Sequence, residues 1–187
     1  MSKRGRRSIM MLCLSALICA LMVISTLFFR FPLPGTDVMF TFQVLIVLLC
    51  GLVFPLRYGL YAVAGYIVLG FVGFPVFSSV SGPGVVVAPS FGYLLGFPCA
   101  ICMERIFRRR FSNKKSCDVL AALMGICVMY LVALFYIALL MNLWLKKPLG
   151  VGELFSVYCL AFLPLDIIKA ILAALIAPRL RKALKLS

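Results

Sequence analysis

Between positions 9 and 29 the chain runs for 21 residues without a charged side chain. At about 1.5 Å per residue, a helix of that length reaches across roughly 30 Å of hydrocarbon. In lipid a backbone must satisfy its hydrogen bonds internally, so only helices and closed barrels span. Five further apolar runs follow, near 40–54, 58–72, 89–107, 118–145 and 155–177, the second and third of the six being short and interrupted. With 65% hydrophobic and 13% charged residues, the 187-residue sequence excludes an ordinary soluble domain. It reads as a single all-α integral membrane domain, a bundle of six transmembrane helices embedded in the lipid bilayer.

The basic residues orient that bundle. A net charge of +14 on a soluble protein would suggest nucleic acid, but here the cations sit in short blocks between apolar runs, so nucleic-acid binding is not expected. Lys3, Arg4, Arg6 and Arg7 precede the first run, Arg57 follows the second, Arg105, Arg108, Arg109, Arg110, Lys114 and Lys115 follow the fourth, and Arg179, Arg181, Lys182 and Lys185 close the chain. Fifteen cations thus fall on one side, against Arg30, Lys146 and Lys147 on the other. By the positive-inside rule both termini are cytoplasmic, which requires an even number of crossings. The first run is expected to be a retained helix rather than a signal peptide, because no small-x-small cleavage site precedes Arg30.

Asp166 and Lys169 interrupt the last run, in CLAFLPLDIIKAILAALIAP. Each costs about 2.5–3.5 kcal/mol on insertion scales when placed mid-membrane, so such groups face a protein-lined cavity or one another. At i and i+3 they share a helix face. Pro164 just before them loosens the backbone. Other polar residues gather near the expected outer ends of helices: Thr41 and Gln43 start the second run, Ser90 and Tyr93 the fourth. Each is compatible with a ligand contact or with an interhelical hydrogen bond or interface anchor.

The two outer connections are unusual. Segment 30–39, RFPLPGTDVM, holds two prolines and a charge of each sign, and segment 73–88, GFPVFSSVSGPGVVVA, has 16 residues and no charge. Both are candidate lids over a cavity that opens outward, with Phe77 turned to a ligand. For the second, a membrane-skimming loop with a turn at 81–84 is an equal alternative. Ala16 and Ala20, four apart on the first helix, make a smooth stripe; Ala170, Ala173, Ala174 and Ala177 make another on the last, expected to serve packing within the bundle.

Several chemistries are excluded. The chain has no histidine, which removes Ser-His-Asp and Cys-His catalysis, and no G-x-x-x-x-G-K-S/T phosphate loop, so no ATPase or other enzyme is expected. Cys99 and Cys102 form a C-x-x-C without a second ligand pair; they are expected to be buried small hydrophobes, and neither a metal nor a cofactor is anticipated.

Four segments carry a family resemblance. TFQVLIVLLCG at 41–51, LGFVGFPVF at 69–77, APSFGYLLGF at 88–97 and FLPLDIIKAILAALIA at 162–177 resemble, in order and spacing, the motifs T-x-Q-x-x-x-V-L-L-x-G, L-G-L-x-G-L-P-V-F, G-P-T-G-G-Y-L-x-G-F and F-x-P-G-D-x-x-K-A-x-L-A-A of the BioY family, the biotin-binding components of energy-coupling-factor transporters. Met39, Ala88, Ser90, Phe91 and Leu165 depart from the family pattern, whereas Gln43, Tyr93, Asp166 and Lys169 keep it.

The resemblance implies a bacterial cytoplasmic-membrane protein that binds biotin and mediates its uptake. Its substrate-binding residues would include Thr41, Gln43, Phe77, Ser90, Tyr93, Asp166 and Lys169. Asp166 would accept from the ureido N–H groups, Lys169 would donate to the ureido carbonyl or the carboxylate, and Tyr93 and Phe77 would pack on the bicycle. It also implies that Ala16 and Ala20 face a transmembrane coupling subunit, which joins two cytoplasmic ATPases that supply the energy. A component for another small vitamin, a solitary permease, and a noncatalytic assembly protein in which Asp166 and Lys169 merely pair remain as alternatives.

Overall fold

The computed structural model describes residues 3–32, 38–111, 115–146 and 150–184. Helix α1 (Lys3–Phe28) starts six residues before the first apolar run, because lysine and arginine are good helix formers and Arg6 and Arg7 stay exposed to water. Met11, Ser15, Ile18, Met22 and Thr26 lie three or four apart on its buried face. That face packs on α3: Ser15 Oγ donates to the Tyr58 carbonyl at 2.8 Å, and Thr26 Oγ1 lies 3.2 Å from the Tyr66 hydroxyl. Ala16 and Ala20 point the other way and are exposed.

Helices α2 (Gln43–Val53) and α3 (Leu56–Val72) are separated by Phe54 and Pro55. Phe54 takes an extended conformation, as residues before proline do. Helix α4 (Ser90–Phe111) returns across the bundle, and α5 (Lys115–Leu139) continues through a π-helical turn at Leu140–Trp144. The sixth run, expected as one helix, is two. Helix α6 (Val151–Phe155) and its π turn (Ser156–Leu160) meet α7 (Leu163–Ala183) at a bend of 41°. Pro164 lies in the first turn of α7; without an N–H it cannot bond back to Leu160, so the ladder breaks there.

The expectation for segment 30–39 also changes. Instead of an irregular loop it begins and ends in a two-stranded antiparallel ladder, β1 (Arg30–Pro32) with β2 (Met39–Thr41), pairing Arg30 with Thr41 and Phe31 with Phe40. The bundle therefore carries one small hairpin, whose residues 33–37 lie outside the described part, as do Lys114, Lys147 and Lys185 of the charge pattern and the side chains of Lys3, Arg4 and Lys115.

Segment 73–88 folds tightly. Gly73 ends α3 with φ of 108°, a left-handed conformation that a side chain would strain, and the Phe74 N–H reaches back to the Leu69 carbonyl at 3.2 Å. The Gly70 carbonyl accepts from both Gly73 N–H (3.2 Å) and Gly82 N–H (2.7 Å). A 3₁₀ turn at Pro83–Val87 then leads into α4. Val76, Phe77 and Val85 turn inward and are buried, while Phe74, Val80, Val86 and Val87 face out.

By length and composition, Gly5–Phe28 and Cys117–Trp144 can each cross a bilayer, and the bent pair formed by 151–160 and 163–183 makes a third span if it counts as one. Ala170, Ala173, Ala174 and Ala177 are buried and let α7 lie close to α2 and α5. Cys99 and Cys102, by contrast, are not the buried pair expected: Cys99 is exposed and Cys102 partly so, on the outward face of α4.

Away from the hairpin, four helices meet in a charged cluster. Asp118 on α5 takes Arg108 Nε of α4 at 2.8 Å and Arg181 Nη2 of α7 at 2.5 Å. Both guanidinium groups also donate to the Leu52 carbonyl near the end of α2, at 2.7 and 3.0 Å, satisfying an oxygen that helix geometry leaves unpaired.

Candidate functional site

The break before α7 and the end of β2 bring two stretches of backbone to the same place. Asp166 and Lys169 occupy the first turns of α7 and are each only 3% exposed. Lys169 Nζ sits 2.7 Å from Asp166 Oδ1, donates to the Thr41 carbonyl at 2.7 Å, and lies 3.8 Å from the centre of the Phe40 ring. The ammonium therefore has an anion, a carbonyl dipole and an aromatic face around it, which compensates for removing it from water. Asp166 is held from its other side by the Tyr130 hydroxyl, which donates to Oδ2 at 2.7 Å.

A second polar group forms where α2 begins. Gln43 Nε2 donates to the Tyr66 hydroxyl, Thr41 Oγ1 donates to Gln43 Oε1 at 3.2 Å, and the Tyr66 hydroxyl in turn donates to the Val76 carbonyl at 2.7 Å. Thr41 joins the two polar groups, its carbonyl taking Lys169 and its hydroxyl Gln43, and aromatic rings line the wall beside them. Tyr66 and Phe77 meet edge to face at 5.4 Å between centroids, and Tyr93 meets Tyr130 in the same way at 5.8 Å. The Tyr93 hydroxyl is fixed by the Tyr158 carbonyl at the break between α6 and α7, and Ser90 Oγ lies 2.7 Å from Ser79 Oγ.

These side chains surround one cavity of about 50 Å³, lined by Thr41, Gln43, Phe77, Ser90, Tyr93, Asp166 and Lys169 among others. The seven residues singled out in the sequence thus converge from β2, α2, the 73–88 segment, α4 and α7. The space is small beside the roughly 300–1,000 Å³ of ordinary ligand pockets, so the walls must move apart to admit a bicyclic ligand. The arrangement offers a buried charge pair and an amide–phenol network that meet at Thr41, with aromatic faces beside them. It is suited to a small ligand with both hydrogen-bonding groups and an apolar body.

Sequence reasoning missed Phe40, Tyr66 and Tyr130 as part of this wall. Tyr130 and Tyr66 sit inside apolar runs, where tyrosine ordinarily reads as packing; their signal was a hydroxyl that needs a partner once buried. Among the described residues, no three histidine, cysteine or acidic side chains gather as metal ligands.

Comparison with known proteins agrees with the motif resemblance. A model of the BioY family matches residues 1–186. The probable biotin transporter BioY of Lysinibacillus sphaericus is 33% identical over 181 residues, covering 96% of this chain and 91% of the relative. The biotin transporter BioY of Thermotoga maritima is 32% identical over 151 residues, covering 80% of this chain and 85% of its own. In fold, the chain resembles the crystal structure of a biotin S-component from an energy-coupling-factor transporter with a TM-score of 0.82 over 97% of this chain and 95% of that one, at 24% identity. The match to the family model is continuous along the sequence, and the chain belongs to the BioY family.

Proposed function

We propose that this protein binds biotin within the membrane and mediates its uptake, with the cavity between β2, α4 and α7 as the binding site. The observation that carries the reading is the convergence of Asp166 and Lys169 with Gln43, Tyr93 and Phe77 around one cavity. The buried charge pair is matched to a ureido group or a carboxylate, and the rings to the bicycle between them. Relatives over 30% identical that carry the name biotin transporter support the choice of ligand. Equilibrium titration of the purified protein with biotin tests it: saturable binding that Asp166→Asn weakens supports the reading, and no binding defeats it.

The topology we infer has six crossings, both termini cytoplasmic, in a bacterial cytoplasmic membrane, with the cavity facing outward. The distribution of fifteen cations against three supports it. Reporter fusions at the two ends test it, since ends on opposite sides require an odd number of crossings. Energy would come from two partner ATPases through a transmembrane coupling subunit that docks on Ala16 and Ala20, both exposed on α1. ATP-dependent uptake in vesicles with and without those partners separates this from solitary transport.

One observation favours a second reading. Lys169 and Asp166 already satisfy each other, with Thr41 and Tyr130 completing their shells, as a purely structural pair would. An Asp166→Asn/Lys169→Met protein that still binds biotin would support that reading and remove both residues from the site.

A further inference from the structure

A carboxyl group lies buried on α4 in a slot that no other side chain fills. Glu104 is 0% exposed, and neither of its carboxyl oxygens has a hydrogen-bond partner among the described residues. The slot is made by two glycines on facing helices. A Cβ at Gly51 of α2 would fall 1.6 Å from Glu104 Oε2, and a Cβ at Gly125 of α5 would fall 2.8 Å from Glu104 Cγ. Both positions exclude every other residue while Glu104 occupies the gap. This place is distinct from the vitamin cavity: Gly51 is eight residues, roughly 12 Å, along α2 from Gln43.

The two guanidinium groups of the charged cluster are engaged elsewhere. On α4 itself Arg108, one turn on, directs its guanidinium to Asp118 and the Leu52 carbonyl. On α7 Arg181 does the same. The wall from α2 contributes Cys50 and Gly51, and that from α5 contributes Gly125 with Asp118, an anion that opposes a second one nearby. Arg105, beside Glu104 on α4, makes no ion pair with it. An ionised carboxylate in such a place would lack both water and donors, a cost that buried groups avoid by binding a proton.

We propose that Glu104 is a proton-binding site. In this conformation the carboxyl is the neutral acid; it releases its proton to water when α2, α4 and α5 separate far enough for solvent or the Arg108 guanidinium to reach it. Proton binding then sets the charge of the four-helix cluster. Counted with Arg108, Arg181 and Asp118, Glu104 leaves the cluster with one net positive charge as the neutral acid and with none once ionised.

The sequence makes the test clean, because it has only two glutamates, Glu104 and the exposed Glu153. Infrared spectra are taken of the full chain in lipid nanodiscs at neutral pH, with glutamate labelled by ¹³C at its side-chain carboxyl. The expected result is an isotope-shifted carbonyl stretch of a protonated acid that persists in Glu153→Gln and disappears in Glu104→Gln. Should Glu104→Gln fail to fold, the Glu153→Gln protein decides alone, since one labelled glutamate remains. A carbonyl band in it upholds the proposal, and carboxylate bands without it overturn the proposal.

Discussion

Replacing Lys169 by methionine keeps an unbranched side chain of similar length and removes only the ammonium. Three interactions go with it: the ion pair to Asp166 at 2.7 Å, the hydrogen bond to the Thr41 carbonyl at 2.7 Å, and the contact with the Phe40 ring at 3.8 Å. Asp166 stays 3% exposed with Tyr130 as its remaining donor. Breaking a buried pair from one side leaves an uncompensated charge and typically costs about 3–5 kcal/mol. Lys169→Met should therefore melt well below wild type in detergent. Adding Asp166→Asn should restore most of the loss, because the stranded charge is gone. Biotin affinity should fall by about tenfold to a hundredfold in the single variant, the worth of one charge-assisted hydrogen bond of about 1.5–3 kcal/mol. Thermal unfolding followed by the fluorescence of the one tryptophan, Trp144, and biotin titration on the same samples measure both quantities. A single variant that melts with wild type and binds as tightly would refute the reasoning on both counts.

Tyr130→Phe removes one donor from the Asp166 carboxylate and leaves the packing against Tyr93 in place; biotin affinity should drop by about 1.5–3 kcal/mol while the fold persists, as titration and melting will show. Gly70→Ala would place a methyl 2.0 Å from the Phe77 ring, so Phe77 must leave its seat; about 1–3 kcal/mol of stability and much of the biotin affinity should go together. Ala20→Trp adds bulk on the exposed face of α1, so biotin titration should be unchanged while pull-down of the coupling subunit is lost; normal assembly would remove that face as the docking surface.

What could be read from the sequence differs in kind from what could not. Asp166 and Lys169 were legible because ionisable groups in an apolar run demand an explanation, and Gln43 because an amide at the head of such a run also needs partners. Tyr66 and Tyr130 were not, since their role depends on which hydroxyl meets which partner across the bundle. The hairpin escaped because strands of three residues are too short to leave an alternating pattern. Pro164 announced a bend but not that the helix would divide. Arg108 and Arg181 were counted as orienting charges; only the packing of α4, α5 and α7 reveals that they also share Asp118 and close the end of α2. Gly51 and Gly125 are 74 positions apart in sequence, and nothing local links either to Glu104.

The doubly bonded carbonyl of Gly70 has a thermodynamic consequence for ligand exchange. By taking the N–H groups of Gly73 and Gly82 at once, it ties the two ends of the intervening segment into a closed ring of chain, with Phe77 near its middle. Such a ring has already surrendered most of its backbone freedom, about 1–2 kcal/mol per residue, when the protein folds. If it serves as the lid expected from the sequence, it would travel as a body, like a stopper, without melting and reordering at each cycle. The contacts that hold it include the Tyr66 hydroxyl on the Val76 carbonyl, Ser79 against Ser90, and the buried Phe77 ring against Tyr66 and Gly70. A ligand that entered beneath such a lid would replace those contacts, with little of its binding energy spent on organising the cover.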